Sequence, residues 1–407
     1  MKQMHNIPKG WKYLKLMNLV TQDIKNGYSP NCPDEPNGSW ILSLGNITEN
    51  GLDQSQTKPA PMNDDRVKDF LLEPGDFLIS RSNTLDKVGR TVLFRGEIEN
   101  CSYPDLLMRF RVDETQVINE YLEGYLKSSI VRKYIQACAS GTSQSMVKIN
   151  KTVVEKIPVV LPPRPEQKAI ANLFSTWDEA IERTERMIIK KQQLYEAQLS
   201  KRLYLDVSER ISLKKCLKEI SSRNRDFSIT QVLSVTNSKG FVRPEDQFNR
   251  QVASDNLSNY KIVSKGEYAY NPSRINVGSI ARLDDWDLGV LSPMYTVFEI
   301  NKSSELHTDL FLHWLNSREA RIRIKLSSQG SVRETVSFDD FCAIGFPKID
   351  FKEQEALAEY FNLILSEIDF FKALLEKYKT QKRGLMQKML TGEWRIKPDI
   401  INHYMEA

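Results

Sequence analysis

Ile157-Pro158 leads into Pro165-Glu166-Gln167-Lys168-Ala169, which opens a run to about Leu205 with no further glycine or proline. The same signal returns as Phe346-Pro347 followed by Lys352-Glu353-Gln354-Glu355-Ala356. Upstream of each copy lies a polar glycine segment, Ser140-Gly141-Thr142-Ser143-Gln144 in the first and Gln329-Gly330-Ser331-Val332-Arg333 in the second. Gly141 and Gly330 are 189 residues apart and the two Glu-Gln pairs 187 apart, so the chain carries one pattern twice in register. A duplicated chain of two half-length units suits a bipartite target.

The duplication extends upstream through Gly75-Asp76-Phe77 and Gly266-Glu267-Tyr268, and through Val88-Gly89-Arg90 and Val277-Gly278-Ser279. Two copies at so long a period describe a tandem protein rather than a solenoid. Each copy is long enough to bury its own core. The expected organisation is a first domain over 1–160, a central long helix over 161–206, a second domain over 207–349, a C-terminal long helix over 350–392 and a tail over 393–407.

Within each half, short apolar or alternating runs are separated by turn residues and followed by a helix. Trp40 to Leu44, Asp76 to Ser80, Thr91 to Arg95 and Leu106 to Val112 read as strands, with a helix from about Ile118 to Ala139. The second half repeats the order with Gln231 to Val235, Glu267 to Tyr270 and Thr296 to Ile300, then a helix from about Asp309 to Leu326. This is an α+β domain occurring twice.

The long helices carry apolar stripes of seven-residue recurrence: Ile170, Leu173, Phe174, Trp177, Ala180, Ile181, Met187, Ile188, Leu194 and Tyr195 in one. Leu357, Tyr360, Phe361, Ile364, Ile368, Phe371, Leu374, Leu375, Tyr378 and Leu385 form the other. Asp350 and Glu353 have capping-box spacing, and Gly392 suits a C-terminal stop. At ~1.5 Å per residue each helix is roughly 60 Å long, more than its own domain can cover. The two stripes are therefore expected to pair as an antiparallel coiled coil, with Phe174, Trp177, Ile181, Ile188 and Tyr195 facing Phe361, Ile364, Ile368, Phe371, Leu374 and Tyr378.

Composition bounds the class. With 407 residues, 40% hydrophobic and 27% charged, the chain reads as ordinary soluble globular material. It shows no secretory leader, no apolar run near the ~18 residues of a membrane span and no paired cysteine spacing, which points to the cytoplasm. A net charge of +4 is mild, so any nucleic-acid role depends on local placement of Arg and Lys. Phosphate-loop, dinucleotide-binding, nucleophile-elbow and metal-ligand patterns are all missing, which argues against catalysis by this chain. His307 and His313 read as packing or surface residues. Tyr270-Asn271-Pro272-Ser273 faintly resembles the Asn-Pro-Pro-aromatic loop of adenine methyltransferases, but Ser273 and Arg274 replace the second proline and the aromatic, so it reads as a strand end entering a polar loop.

Two sets of loops are rich in side chains suited to base edges and phosphates. After matching strands lie Arg81, Ser82, Asn83, Lys87 and Arg90 in one half, and Asn271, Ser273, Arg274, Asn276 and Arg282 in the other. Arg pairs bidentately with guanine, Asn or Gln with adenine, and Ser or Thr contacts either base or backbone. The glycine segments add Thr142, Ser143 and Gln144, and Ser331 and Arg333; they follow helices bearing Arg132 and Lys133, and Arg321, Arg323 and Lys325.

The glycine segment, the Pro162-Pro163-x-Pro165-Glu166-Gln167 run, the helix after it and the second copy together resemble the specificity (S) subunit of type I restriction-modification systems. The resemblance covers nearly the full chain. The second copy departs from it, with Asp350-Phe351-Lys352 in place of the prolines and Val332-Arg333 in place of Ser-Gln. The resemblance implies target recognition domains that each dock in the major groove of double-stranded DNA, with the paired helices as spacer. It implies two methyltransferase (M) subunits docked chiefly on those helices, and restriction (R) motor subunits recruited through them. It places S-adenosylmethionine, ATP and magnesium on those partners, with no cofactor or metal on this chain. The rival from another class is a duplicated protein-binding scaffold that never touches DNA.

Overall fold

A computed structural model describes residues 7–49, 51–141, 146–247, 256–327 and 335–403. The chain forms two compact units, one of residues 1–183 with 375–407 and one of residues 184–374. The central long helix, Arg164–Ser200, and the C-terminal long helix, Phe351–Leu390, each contribute a segment to both.

Each unit is built on one four-stranded antiparallel sheet, and the strand order is the same in both. In the first unit it runs Lys25–Asn26, Leu107–Phe110, Phe77–Ser80, Thr91–Leu93. In the second it runs Leu217–Ile220, Thr296–Ile300, Tyr268–Tyr270, Ile280–Arg282. A further two-stranded pair repeats as well: Lys12–Lys15 with Pro158–Leu161, and Arg210–Ser212 with Gly345–Pro347. The α+β duplication read from sequence is thus present in the topology.

The helix expected over 118–139 is two helices, Asn119–Lys127 and Ser129–Cys138, and that over 309–326 is likewise two, Thr308–Asn316 and Arg318–Ser327. The break falls at Ser128 and Ser317, both extended at ψ near 155. Each hydroxyl accepts a hydrogen bond from the backbone three residues on, Val131 N and Ala320 N. Serine competes with the helix for backbone donors and restarts it as an N-cap.

The repeated glutamine explains why the Glu-Gln signal marks the start of each long helix. Gln167 is buried; its Oε1 accepts from Ile118 N at 2.8 Å, and its Nε2 donates to the carbonyls of Gln116 at 3.1 Å and Pro162 at 2.9 Å. Gln354 repeats this with His307 N at 2.9 Å and the carbonyls of Glu305 at 2.8 Å and Ile349 at 2.9 Å. One amide thus joins helix start, strand end and the entry to the preceding helix.

The glutamates differ. Glu166 is buried and accepts from Trp11 Nε1 at 2.9 Å and from both Nε and Nη2 of Arg395 at 2.7 Å, which fixes the C-terminal tail within the first unit. Glu353 is exposed.

Helix pairing is antiparallel within each unit. In the first, Glu166 at the start of the central helix binds Arg395, just past the end of the C-terminal helix, and further along Trp177 meets Tyr378 edge to face with centroids 5.8 Å apart. In the second, Lys191 pairs with Glu367 at 2.5 Å and Tyr195 meets Phe361 at 5.8 Å. Numbers rise along one helix as they fall along the other. Phe174, Ile188, Phe361, Ile364 and Ile368 are buried, and Trp177, Ile181, Tyr195, Phe371, Leu374 and Tyr378 are half-buried. Met187, Leu194 and Tyr360, included in the expected stripes, are instead exposed. Each sits one position, ~100° of helix, before a seam residue. Thr184, which the apolar pattern passed over, takes a buried seam place.

The core of the second unit is aromatic. Phe298 stacks on Tyr268 at 5.2 Å and meets Phe311, Phe338 and Phe341. Among the described residues no helix is long and apolar enough to cross a membrane.

Candidate nucleic-acid interface

The polar loops and the chain flanking the glycine segments, distant in sequence, are brought together in each unit. In the first, Ser82–Asn83 pairs antiparallel with Val147–Lys148, and Ser140 exchanges backbone bonds with Lys148 at 3.0 and 2.8 Å. The chain flanking the glycine segment therefore lies against Arg81, Ser82 and Asn83. In the second unit Val336 N donates to the Pro272 carbonyl at 3.0 Å, which sets the chain after the second glycine segment beside Ser273 and Arg274. Thr142, Ser143, Gln144, Ser331 and Arg333 lie outside the described residues.

Within the first unit, Lys87 is exposed, Arg81, Asn83 and Arg90 are half-buried, and Ser82 is buried. The loop from Thr84 to Arg90 is held from beneath by the helix Ser129–Cys138. Arg132 donates to the carbonyl of Val88 and, at 3.0 Å, to that of Asp86, while Gln136 reaches the carbonyl of Leu85 at 3.4 Å. Gly89 adopts φ +71, and a Cβ there would stand 2.6 Å from the Ile135 side chain, so glycine is required on two grounds. Burial, aided by the nearby Arg90 charge, lowers the pKa of Arg132. The sequence pointed to Arg132 as a basic helix residue; its geometry shows it shaping the loop.

In the second unit Ser273 and Arg274 are exposed and Asn276 half-buried. Asn271 is buried, and its Oδ1 accepts from Ser273 N at 3.0 Å, an Asx turn that directs the chain off the strand. Gly278 closes the loop at φ +98. Arg282 is placed differently from the rest. It lies on the edge strand of the sheet with a side chain 16% exposed, paired with Asp309 at 2.5 Å and Asp284 at 2.7 Å. Burial opposes its charge, but the two carboxylates outweigh burial and its pKa is raised.

Asp309 extends this pair into a relay around the buried His313. Asn362 Nδ2 donates to Asp309 Oδ2 at 3.1 Å, which turns its Oδ1 toward His313 Nε2 at 2.9 Å, and His313 Nδ1 meets Tyr195 OH at 2.7 Å. With the amide so oriented, Nε2 carries the proton and Nδ1 accepts from the tyrosine. Burial lowers the pKa of His313 against the opposing Asn362 bond and Asp309 charge. Tyr195 and Asn362 belong to the two long helices, so the relay ties both to the α+β fold of the second unit.

Sequence reading singled out the Glu-Gln pair as a repeat without a role for the glutamine, and it missed the loop Asn224 to Ile229. Asn224-Arg225-Asp226 is a turn-forming composition, but what marks this loop is its backbone. Phe227 stands at φ +56 and is 53% exposed.

The chain has known relatives. The family model for the type I restriction modification DNA specificity domain matches residues 8–191. A protein of Methanocaldococcus jannaschii described as the MjaX type I restriction enzyme specificity subunit is 23% identical over 96% of this chain and 95% of its own. The EcoEI type I specificity subunit of Escherichia coli is 22% identical over 42% of this chain and 30% of its own. In fold, the S subunit of a type I restriction-modification system from M. genitalium superposes with TM-score 0.56 at 17% identity, covering 96% of this chain and 98% of that one. A chain from a structure of type I restriction-modification complex assembly and conformational transition superposes with TM-score 0.57 at 13% identity, covering 96% and 100%. By sequence over nearly its full length and by fold, this chain resembles the specificity subunits of type I restriction-modification systems, and its residues 8–191 belong to the DNA specificity domain family of those systems.

Proposed function

We propose that the chain reads a bipartite DNA target, one recognition domain per half-site, and scaffolds the methyltransferase and restriction subunits that act there. The observation that carries this is the repeated recognition sheet with its polar loop set: Arg81, Asn83, Lys87 and Arg90 in one unit, Ser273, Arg274 and Asn276 in the other. Two compact copies offering Arg, Asn and Ser side chains suit two separate stretches of duplex, where Arg and Asn read base edges and Ser and Lys hold phosphates. Arg282, engaged with Asp284 and Asp309, and the buried Ser82 and Asn271 serve the shape of the site in this reading. The chain itself performs no chemistry; S-adenosylmethionine, ATP and magnesium belong to the partners.

The test is domain exchange. Residues 1–160 are replaced by the matching region of a relative, the chimera is expressed with the methyltransferase subunits, and the methylated motif is mapped across host DNA. One half of the motif should change and the other stay. A simultaneous change in both halves, or no sequence-selective methylation with the unaltered chain, overturns the proposal.

A further inference from the structure

We infer that Phe227 is a base-contacting residue of the second recognition domain, meeting the C5-methyl group of a thymine; this rests on the DNA-reading function above. The loop that carries it is built to hold it outward. Asn224 is fully buried; its Nδ2 donates to the Ile229 carbonyl at 2.7 Å and its Oδ1 accepts from Ile229 N at 3.1 Å, closing the loop as a clamp. Phe227 N donates to the Asn224 carbonyl at 3.2 Å, and Ser228 binds Asp226 Oδ1. Within this frame Phe227 adopts φ +56, a left-handed conformation that glycine or asparagine accepts and a bulky side chain resists. Phe227 is 53% exposed, and its ring packs on no other ring among the described residues. Neither local conformation nor packing favours phenylalanine there, which is the pattern expected where a binding function holds a residue in place.

The topology places the loop beside the recognition loop. Leu217–Ile220 and Tyr268–Tyr270 both run antiparallel to Thr296–Ile300, with Ile220 opposite Val297 and Tyr270 opposite Thr296. The chain therefore leaves both strands at the same end of the sheet, into Arg223 to Ile229 and into Ser273 to Asn276. Two strand spacings separate their bases, about 10 Å. Arg225, next to the clamp, is exposed, and Arg223 is braced on the Asn259 carbonyl at 2.7 Å. An apolar ring flanked by guanidinium groups suits the major groove, where base edges present donors, acceptors and one apolar group, the thymine methyl.

The test uses the full chain assembled with its methyltransferase subunits and duplexes bearing the mapped motif. Each thymine of the half-site read by residues 207–349 is replaced in turn by deoxyuridine, which lacks only the methyl. The unaltered protein should bind one such duplex several-fold more weakly. Phe227→Asn should bind the thymine duplex about tenfold more weakly, should not distinguish thymine from uracil, and should unfold at a temperature no lower than the unaltered protein because Asn relaxes the backbone. The inference is overturned if Phe227→Asn keeps full affinity, keeps the thymine preference, weakens unrelated duplexes equally, or impairs only assembly with the methyltransferase. A half-site with no A·T pair also overturns it. Loss of DNA selectivity by the unaltered protein instead removes the functional reading on which it stands.

Discussion

Gln167 and Gln354 each satisfy three backbone groups with one side chain, and no smaller or charged residue can replace that set. Gln167→Ala leaves Ile118 N and two carbonyls without their partner, and a loss of about 2–4 kcal/mol is expected from the urea midpoint of the first unit. Gln167→Glu should be as damaging, because a carboxylate accepts from Ile118 N but cannot donate to Gln116 and Pro162. His313 gives a second residue-scale prediction through pH. Its pKa is lowered in the fold, so between that value and the ordinary ~6.5 the unfolded chain binds a proton the folded chain refuses. Its contribution to stability is present above about pH 6.5 and declines as pH falls below that value. His313→Gln should flatten this part of the pH profile of thermal stability for residues 184–374; an unchanged slope would assign the dependence to other groups. The sequence offered His313 only as a packing or surface residue. Its neighbours Tyr195 and Asn362 are more than a hundred and about fifty positions away, and no local pattern announces such a relay.

At the scale of elements, what was legible followed from periodicity. The heptad stripes, the Asp350 start, where Lys352 N bonds Asp350 Oδ1 at 3.0 Å, and the Gly392 stop at φ +73 could be read because each is a local signal. Strands of two residues such as Lys25–Asn26 and Ser82–Asn83 are too short to show alternation, and only pairing with distant segments defines them. The Ser128 and Ser317 breaks were hidden because a serine inside an apolar pattern reads equally as an exposed helical position. For the candidate site, the loops after Phe77–Ser80 and Tyr268–Tyr270 stood out by composition. The loading of Arg282 by Asp309 and the left-handed Phe227 are matters of tertiary contact and backbone angle. The helix seam supplies its own test. Phe361 is fully buried and touches Tyr195 and His313, so Phe361→Ala should cost about 3–5 kcal/mol. One residue inserted after Thr184 turns Ile188 and Tyr195 by ~100° away from the seam. Thermal unfolding should report a comparable loss for that insertion, whereas an exposed substitution such as Met187→Lys should change stability by less than about 0.5 kcal/mol.

For the whole molecule, both long helices run through both compact units, so the proposed reading of two half-sites predicts a separation that depends on helix length. A heptad inserted after Thr184 together with one after Phe371 adds the same length to both helices and keeps the seven-residue register, with Ile188 and Ile364 still on their seam. The pair lengthens by ~10 Å, about 3 base pairs of duplex at ~3.4 Å each. Duplex also turns by roughly a third of a helical repeat over that distance, since one repeat is ~10 base pairs. A protein with the double insertion should therefore fold with little change in unfolding temperature, bind more weakly, and prefer a spacer about 3 base pairs longer. Selection from a library of duplexes carrying the two mapped half-sites at graded separations reads both quantities at once. An unchanged preferred spacer would show that the helices do not set the separation and would leave them as docking surfaces for the methyltransferase subunits. A lengthened spacer would tie base recognition and the helix seam to one measured dimension.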